Sequence, residues 1–181
     1  MAEKYNFYFL KKNIIKFYRI QLNDKDRPGM AIEKWIQYGS MAAAILMFMI
    51  KRKGMKKYIP VGFFASYYAN IWCFLAMNFN WWNFPTRIFD KPDDISWPVN
   101  FVVVPIMAMF WVRYIPRGLG RQISWAFLLT TLLTGFEYLA ERYTGLIKYH
   151  NGYDWYYSYI LWFFSWFVWY WFYKWLYKNN D

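Results

Sequence analysis

Apolar residues in this chain gather into five runs separated by polar stretches, two of them strongly basic. A helix rises about 1.5 Å per residue, so crossing a hydrocarbon core of about 30 Å takes about 20 residues. The runs near residues 58–79, 97–115, 123–145 and 155–174 meet that length. The first, residues 35–50, holds 16. It either spans, with Lys34 and Trp35 at one interface, or lies as a shallow or re-entrant helix. Ahead of it, residues 1–34 interrupt their apolar positions with Lys11, Lys12 and Lys16 and lack a small-residue cleavage site. They read as an amphipathic helix on the membrane surface and not as a signal peptide. The pattern therefore predicts an all-α fold: a polytopic transmembrane helical bundle of four firm spans plus a short fifth over residues 35–50. Its two parts are a basic interfacial segment, 1–34, and the bundle, 35–181. Pro60, Pro98 and Pro105 fall early in their runs, where neighbouring helices can satisfy freed carbonyls, and Pro105 is expected to kink its helix.

Composition strengthens this picture. The chain is 59% apolar and 27% aromatic, well outside the usual globular balance. Its mean hydropathy is nevertheless near zero. The scale scores Trp and Tyr as mildly polar, and the chain holds 13 and 18 of them. Both favour the membrane interface. The formal charge of +11 is concentrated at the ends of apolar runs, most densely at Lys51, Arg52, Lys53, Lys56 and Lys57. That distribution suits attraction to anionic lipid headgroups and not a nucleic-acid surface.

The same charges argue orientation. Basic loops after the first and third runs, together with Lys174 and Lys178, put the C-terminus in the cytoplasm and the loops 80–96 and 142–154 outside. The basic N-terminal tail conflicts with a spanning first run. If residues 35–50 lie flat, 18 basic residues are inside and 4 outside; hydrophobicity favours five spans.

Catalytic and cofactor spacings are absent: there is no glycine-rich phosphate loop, nucleophile elbow or two-histidine zinc helix. Cys73 is the single cysteine and His150 the single histidine. No cofactor or metal is therefore expected, and whether the chain is an enzyme stays open. In the last run, Trp155, Tyr159, Trp162, Trp166, Trp169 and Tyr173 fall at a 4-3-4-3-4 spacing. Because 15 of the 21 residues over 155–175 are aromatic, such a stripe arises by chance, and it is read as lipid anchoring and packing. Thr130, Thr131, Thr134 and Gly135 would let another helix approach the fourth run closely, which makes that helix the expected centre of the bundle.

The chemistry-bearing residues are the charges within and beside the fourth run, since ionisable groups in a membrane are costly and usually functional. Glu137 and Glu141 are four apart and share a helix face, whereas Arg142 is displaced by about 140° from Glu137 and is not its close partner there. Arg87 closes the second run on the same side and is the expected cation. Asp90 and Lys148 complete the candidate polar site of Arg87, Asp90, Glu137, Glu141, Arg142 and Lys148. Two readings stay open: a structural ion pair between helices two and four, or an outer-face site. In the latter, Arg87 holds a phosphate or carboxylate and one glutamate acts as acid or base.

The segment PTRIFDKPDDISWPVNFVVVPIMAMF, the run FEYLAERYTGLIKY and the following Trp-Tyr-Tyr-Ser-Tyr resemble a family of small multipass membrane proteins of endospore-forming Gram-positive bacteria. The matching positions are Pro85 and Arg87, then Glu137, Glu141, Tyr143, Thr144, Leu146, Ile147, Lys148 and Tyr149. The resemblance implies a bacterial cytoplasmic-membrane protein of unassigned function and adds weight to Arg87 and the glutamates. Three functions follow as expectations. The favoured one is a structural or partner-binding component of an envelope or spore-membrane assembly, with a protein partner or a second copy of itself. The alternatives are a lipid-headgroup-binding protein or lipid-handling enzyme using Arg87, Glu137 and Glu141, and an oligomeric ion or proton channel or transporter.

Overall fold

The structure is a computed structural model that describes residues 30–86 and 95–178. Residues 1–29 of the expected surface segment 1–34, together with Arg87 and Asp90, lie outside the described residues. Within them the protein is all-helical apart from one two-residue ribbon. Helix α1 runs Met30–Ile50, and a tight 3-10 turn at Met55–Tyr58 leads into α2, Ile59–Phe79. Strand β1 is Trp82–Asn83. A π-helical turn, Val99–Val103, opens α3, Val104–Tyr114, followed by α4, Leu119–Tyr143. Strand β2, Lys148–Tyr149, precedes α5, Trp155–Leu176.

Two segments, Met55–Phe79 and Leu119–Tyr143, are long and apolar enough to cross a membrane. The short apolar run at 35–50 forms the C-terminal part of a 21-residue helix, because Met30 to Lys34 join it. The disturbance expected at Pro105 takes the form of the π turn. Proline lacks an N–H and its ring crowds the carbonyl four residues back, and the wider turn ends just before it.

Successive helices alternate in direction. At one end, Arg113 Nη1 donates to the carbonyl of Lys51 (2.6 Å) and the Tyr177 hydroxyl donates to the carbonyl of Lys57 (2.7 Å). That end gathers Lys51, Arg52, Lys53, Lys56, Lys57, Arg113, Arg117, Arg121, Lys174 and Lys178 with no carboxylate among the described residues. The opposite end carries Glu33, Glu137, Glu141 and Asp154.

The core is built from small residues against indoles. Val61, Ala65, Val104, Ala108, Trp111, Val112 and Ala126 surround Trp166 and Trp169, both nearly inaccessible. Buried indole N–H groups need acceptors. Trp111 Nε1 donates to the Trp166 carbonyl (2.7 Å), and Trp166 Nε1 donates to Thr130 Oγ1 (3.0 Å). These bonds tie α3 to α5 and α5 to α4. Of the expected aromatic stripe, Trp166 and Trp169 are core, whereas Trp155 is exposed.

The structure corrects the placement of the fourth helix. α4 lies at the edge, packed mainly on α5. Thr130 and Thr134 are buried, but a side chain at Gly135 would meet nothing within 4 Å, and Leu128, Leu132, Phe136 and Leu139 are all more than half exposed. The close small-residue contact is instead at Gly62 of α2, where an added Cβ would stand 2.9 Å from Met109 Sδ of α3.

That contact is testable. Gly62→Val should overpack the α2–α3 contact and cost about 1–3 kcal/mol of stability, read as a lowered unfolding temperature in detergent. Gly39→Val, at a position with nothing within 4 Å, should leave that temperature close to the parent value.

Candidate functional site

The carboxylate end is held by a loop assembly. Asn80 ends α2 in the left-handed conformation (φ 52°), turning the chain so that β1 meets β2. The strands pair antiparallel, Trp82 with Tyr149 and Asn83 with Lys148. His150 N–H donates to the Trp81 carbonyl (2.7 Å), and the exposed His150 ring sits 3.2 Å from Asn83 Oδ1. Asn151 and Gly152, both at positive φ, reverse the chain. Asp154 then caps α5 by accepting from the Trp155 N–H at 2.7 Å.

The ribbon delivers Tyr149 to Glu137. The tyrosine hydroxyl donates to Glu137 Oε1 at 2.7 Å, Ser158 Oγ donates to the same oxygen at 2.6 Å, and Trp162 Nε1 donates to Oε2 at 2.9 Å. Ser158 and Trp162 are one turn apart on α5 and so face α4 together. Tyr153 adds a 3.0 Å contact to Ser158 Oγ. Burial, and then the nearby Glu137 carboxylate, hold the Tyr149 phenol well above its ordinary pKa; burial does the same for Tyr153. Both stay protonated at neutral pH, and Tyr149 remains a donor to the carboxylate. Three donors fill three of the roughly four acceptor positions of a carboxylate, leaving one on Oε2.

The other sequence-predicted residues separate from this site. Glu141 lies one turn further on, 3.9 Å from Lys148 Nζ, in a part-exposed ion pair, and Lys148 also donates to the Glu141 carbonyl. A pair so exposed adds little stability. Arg142 is exposed, donating to the Tyr138 hydroxyl at 2.7 Å. Among the described residues, Glu137 has no cation in contact.

A buried carboxylate, Glu33, was missed by sequence reasoning. Glu33, 8% exposed, accepts from Thr86 Oγ1 at 2.7 Å and from the Gly145 N–H. Gln37 Nε2 donates to the Thr86 carbonyl (2.8 Å), and Thr86 N–H donates to the Gly145 carbonyl (2.9 Å). Gly145 is required by contact, since a Cβ there would stand 3.0 Å from Glu33 Oε1 and 3.1 Å from Thr86 Oγ1. Glu33 was assigned to the surface segment because it precedes the apolar run. The signal that marks it is Gln37, four residues on, which puts two polar groups on one face of the helix.

Between the Glu137 site and the core lies a cavity of about 290 Å³ whose walls come from all five helices. They are overwhelmingly apolar and aromatic. Polar exceptions include Glu137, Gln37 and Asn100, the last placed by the π turn and donating to Asn70 Oδ1 and Cys73 Sγ, both at 3.2 Å. Three wall residues carry buried polar atoms without a partner among the described residues: Gln37 Oε1, Trp72 Nε1 and Trp169 Nε1. No group of three or more His, Cys, Asp or Glu suited to a metal occurs among those residues.

Glu33→Ala strands the Thr86 hydroxyl and the Gly145 N–H, and should cost about 1–3 kcal/mol, measured by thermal unfolding of the purified protein. Thr86→Ser, which keeps the hydroxyl, should cost clearly less. No family model matches this chain, and no curated protein or solved structure matches it either.

Proposed function

We propose that the protein is a five-span protein of the bacterial cell membrane that binds one small amphiphile from the bilayer in its central cavity. The observation that carries the reading is the cavity itself. Its volume of about 290 Å³ is close to the lower end of the range of about 300–1,000 Å³ typical of ligand sites. Its apolar walls suit a hydrocarbon chain, and Glu137 offers one fixed polar point.

Membrane embedding is supported by the outward surface. Ile45, Leu46, Met49, Phe63, Tyr67, Phe74, Leu132 and Phe164 are exposed along the middles of four different helices, a distribution that water would penalise and lipid would not. Helix α5 belongs to this set although its Trp and Tyr residues depress its hydropathy. Helix α1 runs antiparallel to α2 with the same 21 residues, enough to cross, which favours five spans over four. The ten cations at one end support a cytoplasmic placement of that end and of the C-terminus.

Access to the cavity is lateral in this reading. Helices α1 and α4 both line it yet pack little on each other, which is compatible with an opening between them. An envelope partner or a second copy is compatible with the exposed α4 face, but no observation singles it out. The expectation of a phosphate or carboxylate held by Arg87 falls on a residue outside the described ones.

Two measurements test the proposal. In a Cys73→Ser background, Lys56→Cys should react with an impermeant maleimide only after the cytoplasmic side is opened, and Asn151→Cys in intact cells. An N-terminal tag should be external; a cytoplasmic tag would reduce the protein to four spans. Native mass spectrometry of the purified protein should show one bound amphiphile, lost in the cavity-filling variant Ala69→Phe at unchanged fold. A wild-type protein free of any small molecule, with a cavity that takes up no added amphiphile, would overturn the reading.

A further inference from the structure

The chemistry of the headgroup can be read from the cavity wall, an inference that rests on the amphiphile-binding reading above. Glu137 puts a carboxylate on that wall, and among the described residues none that line it is Lys, Arg or His. The loop cation Lys148 is engaged by Glu141. A fatty-acid anion or a phosphate headgroup would set a second negative charge beside Glu137 in a low-dielectric space with no cation among the described wall residues to neutralise it. An ammonium would suit Glu137, but it has no acceptor to offer the unpartnered N–H groups of Trp72 and Trp169.

A hydroxyl meets both demands, because it donates one hydrogen bond and accepts two. Tyr149, Ser158 and Trp162 leave one acceptor position on Glu137 Oε2. The Trp169 ring, 1% exposed, has its centroid 6.5 Å from that of Trp162, which binds this oxygen, so the unused donor belongs to the ring next to the one that holds the carboxylate. On the α1 wall, Gln37 Oε1 is a second unused acceptor in a residue 7% exposed. We propose that the cavity holds a neutral, hydroxyl-bearing, single-chain amphiphile whose O–H donates to Glu137 and whose oxygen accepts from a wall indole. A long-chain alcohol and a monoacylglycerol share this chemistry. The second hydroxyl of the glycerol would have Gln37 to donate to.

The experiment measures binding of five ten-carbon probes to the full chain in detergent at pH 8: 1-decanol, monodecanoylglycerol, decylamine, decanoate and decane. The expected result is retention of decanol, the glycerol ester or both at least tenfold more strongly than decylamine, decanoate and decane. Preference for the glycerol ester alone would identify an acylglycerol as the source of the hydroxyl, and preference for decanol alone a simple alcohol. Equal binding of all five overturns the headgroup inference and leaves the amphiphile cavity standing, whereas failure of all five overturns both. A decylamine or decanoate preference overturns the inference in favour of a cationic or anionic headgroup. Glu137→Gln should remove the hydroxyl preference while decane binding is kept; if that variant does not fold, the wild-type ranking decides alone.

Discussion

A carboxylate inside an apolar bundle has to be solvated by the protein, and the architecture of the acidic end follows from that requirement. An ionised carboxylate without partners would be too costly to bury and would neutralise instead. Glu137 collects donors from three places: the ribbon through Tyr149, and two successive turns of α5 through Ser158 and Trp162. Glu33 collects them from the loops after α2 and α4. Between them the two residues fix where α1, α4 and α5 stand relative to the loops. The β1–β2 ribbon is only two residues per strand, too short to persist alone. It is sustained by the Glu137 network and by the packing of Trp82 with Tyr153, whose rings lie 4.8 Å apart.

At the opposite end the organising element is α5. Its aromatic residues are so dense that sequence spacing could not select a face, yet the structure uses them in distinct ways. Trp166 and Trp169 fill the core, Tyr173 stacks on Tyr58 at 5.4 Å, and Tyr159 reaches Thr131 at 3.0 Å. The small residues of α2 and α3 that receive the indoles, Ala65 and Ala108, are both fully buried. Large rings on one helix thus sit against small side chains on its neighbours, which is how a bundle without a hydrophobic drive between helices gains close contact.

Much of the helical layout was legible because helix length and apolar patterning are local properties. The start of α1 was not: Glu33 looks like a surface residue until Thr86 and Gly145, distant in sequence, are brought to it. The central position expected for α4 rested on Thr130, Thr131, Thr134 and Gly135. Small residues permit close approach without requiring it, and only Thr130 and Thr134 turn inward. Glu137 was singled out from its cost in an apolar segment, but its partners were not readable, since they come from two other elements. The grouping with Glu141 and Arg142 followed from proximity along one helix, and the structure gives each a separate partner.

The position of the cavity bears on the choice between a binding protein and a channel. The loop end above it is closed by Trp82, Ile147 and Tyr153 packed on Ala76 and Ala140. The basic end is closed by the cluster around Trp111 and Trp166, joined by a hydrogen bond from indole to backbone. A conduction path along the helix axes would have to displace two packed aromatic layers, and the second holds the bundle together. In the proposed reading the opening is sideways, between α1 and α4. On that reading, traffic through the opening would be traffic with the bilayer, which suits a molecule already dissolved in lipid and not a hydrated ion. Glu137, fixed by three donors at the wall of such a space, would be the recognition point of the site we propose.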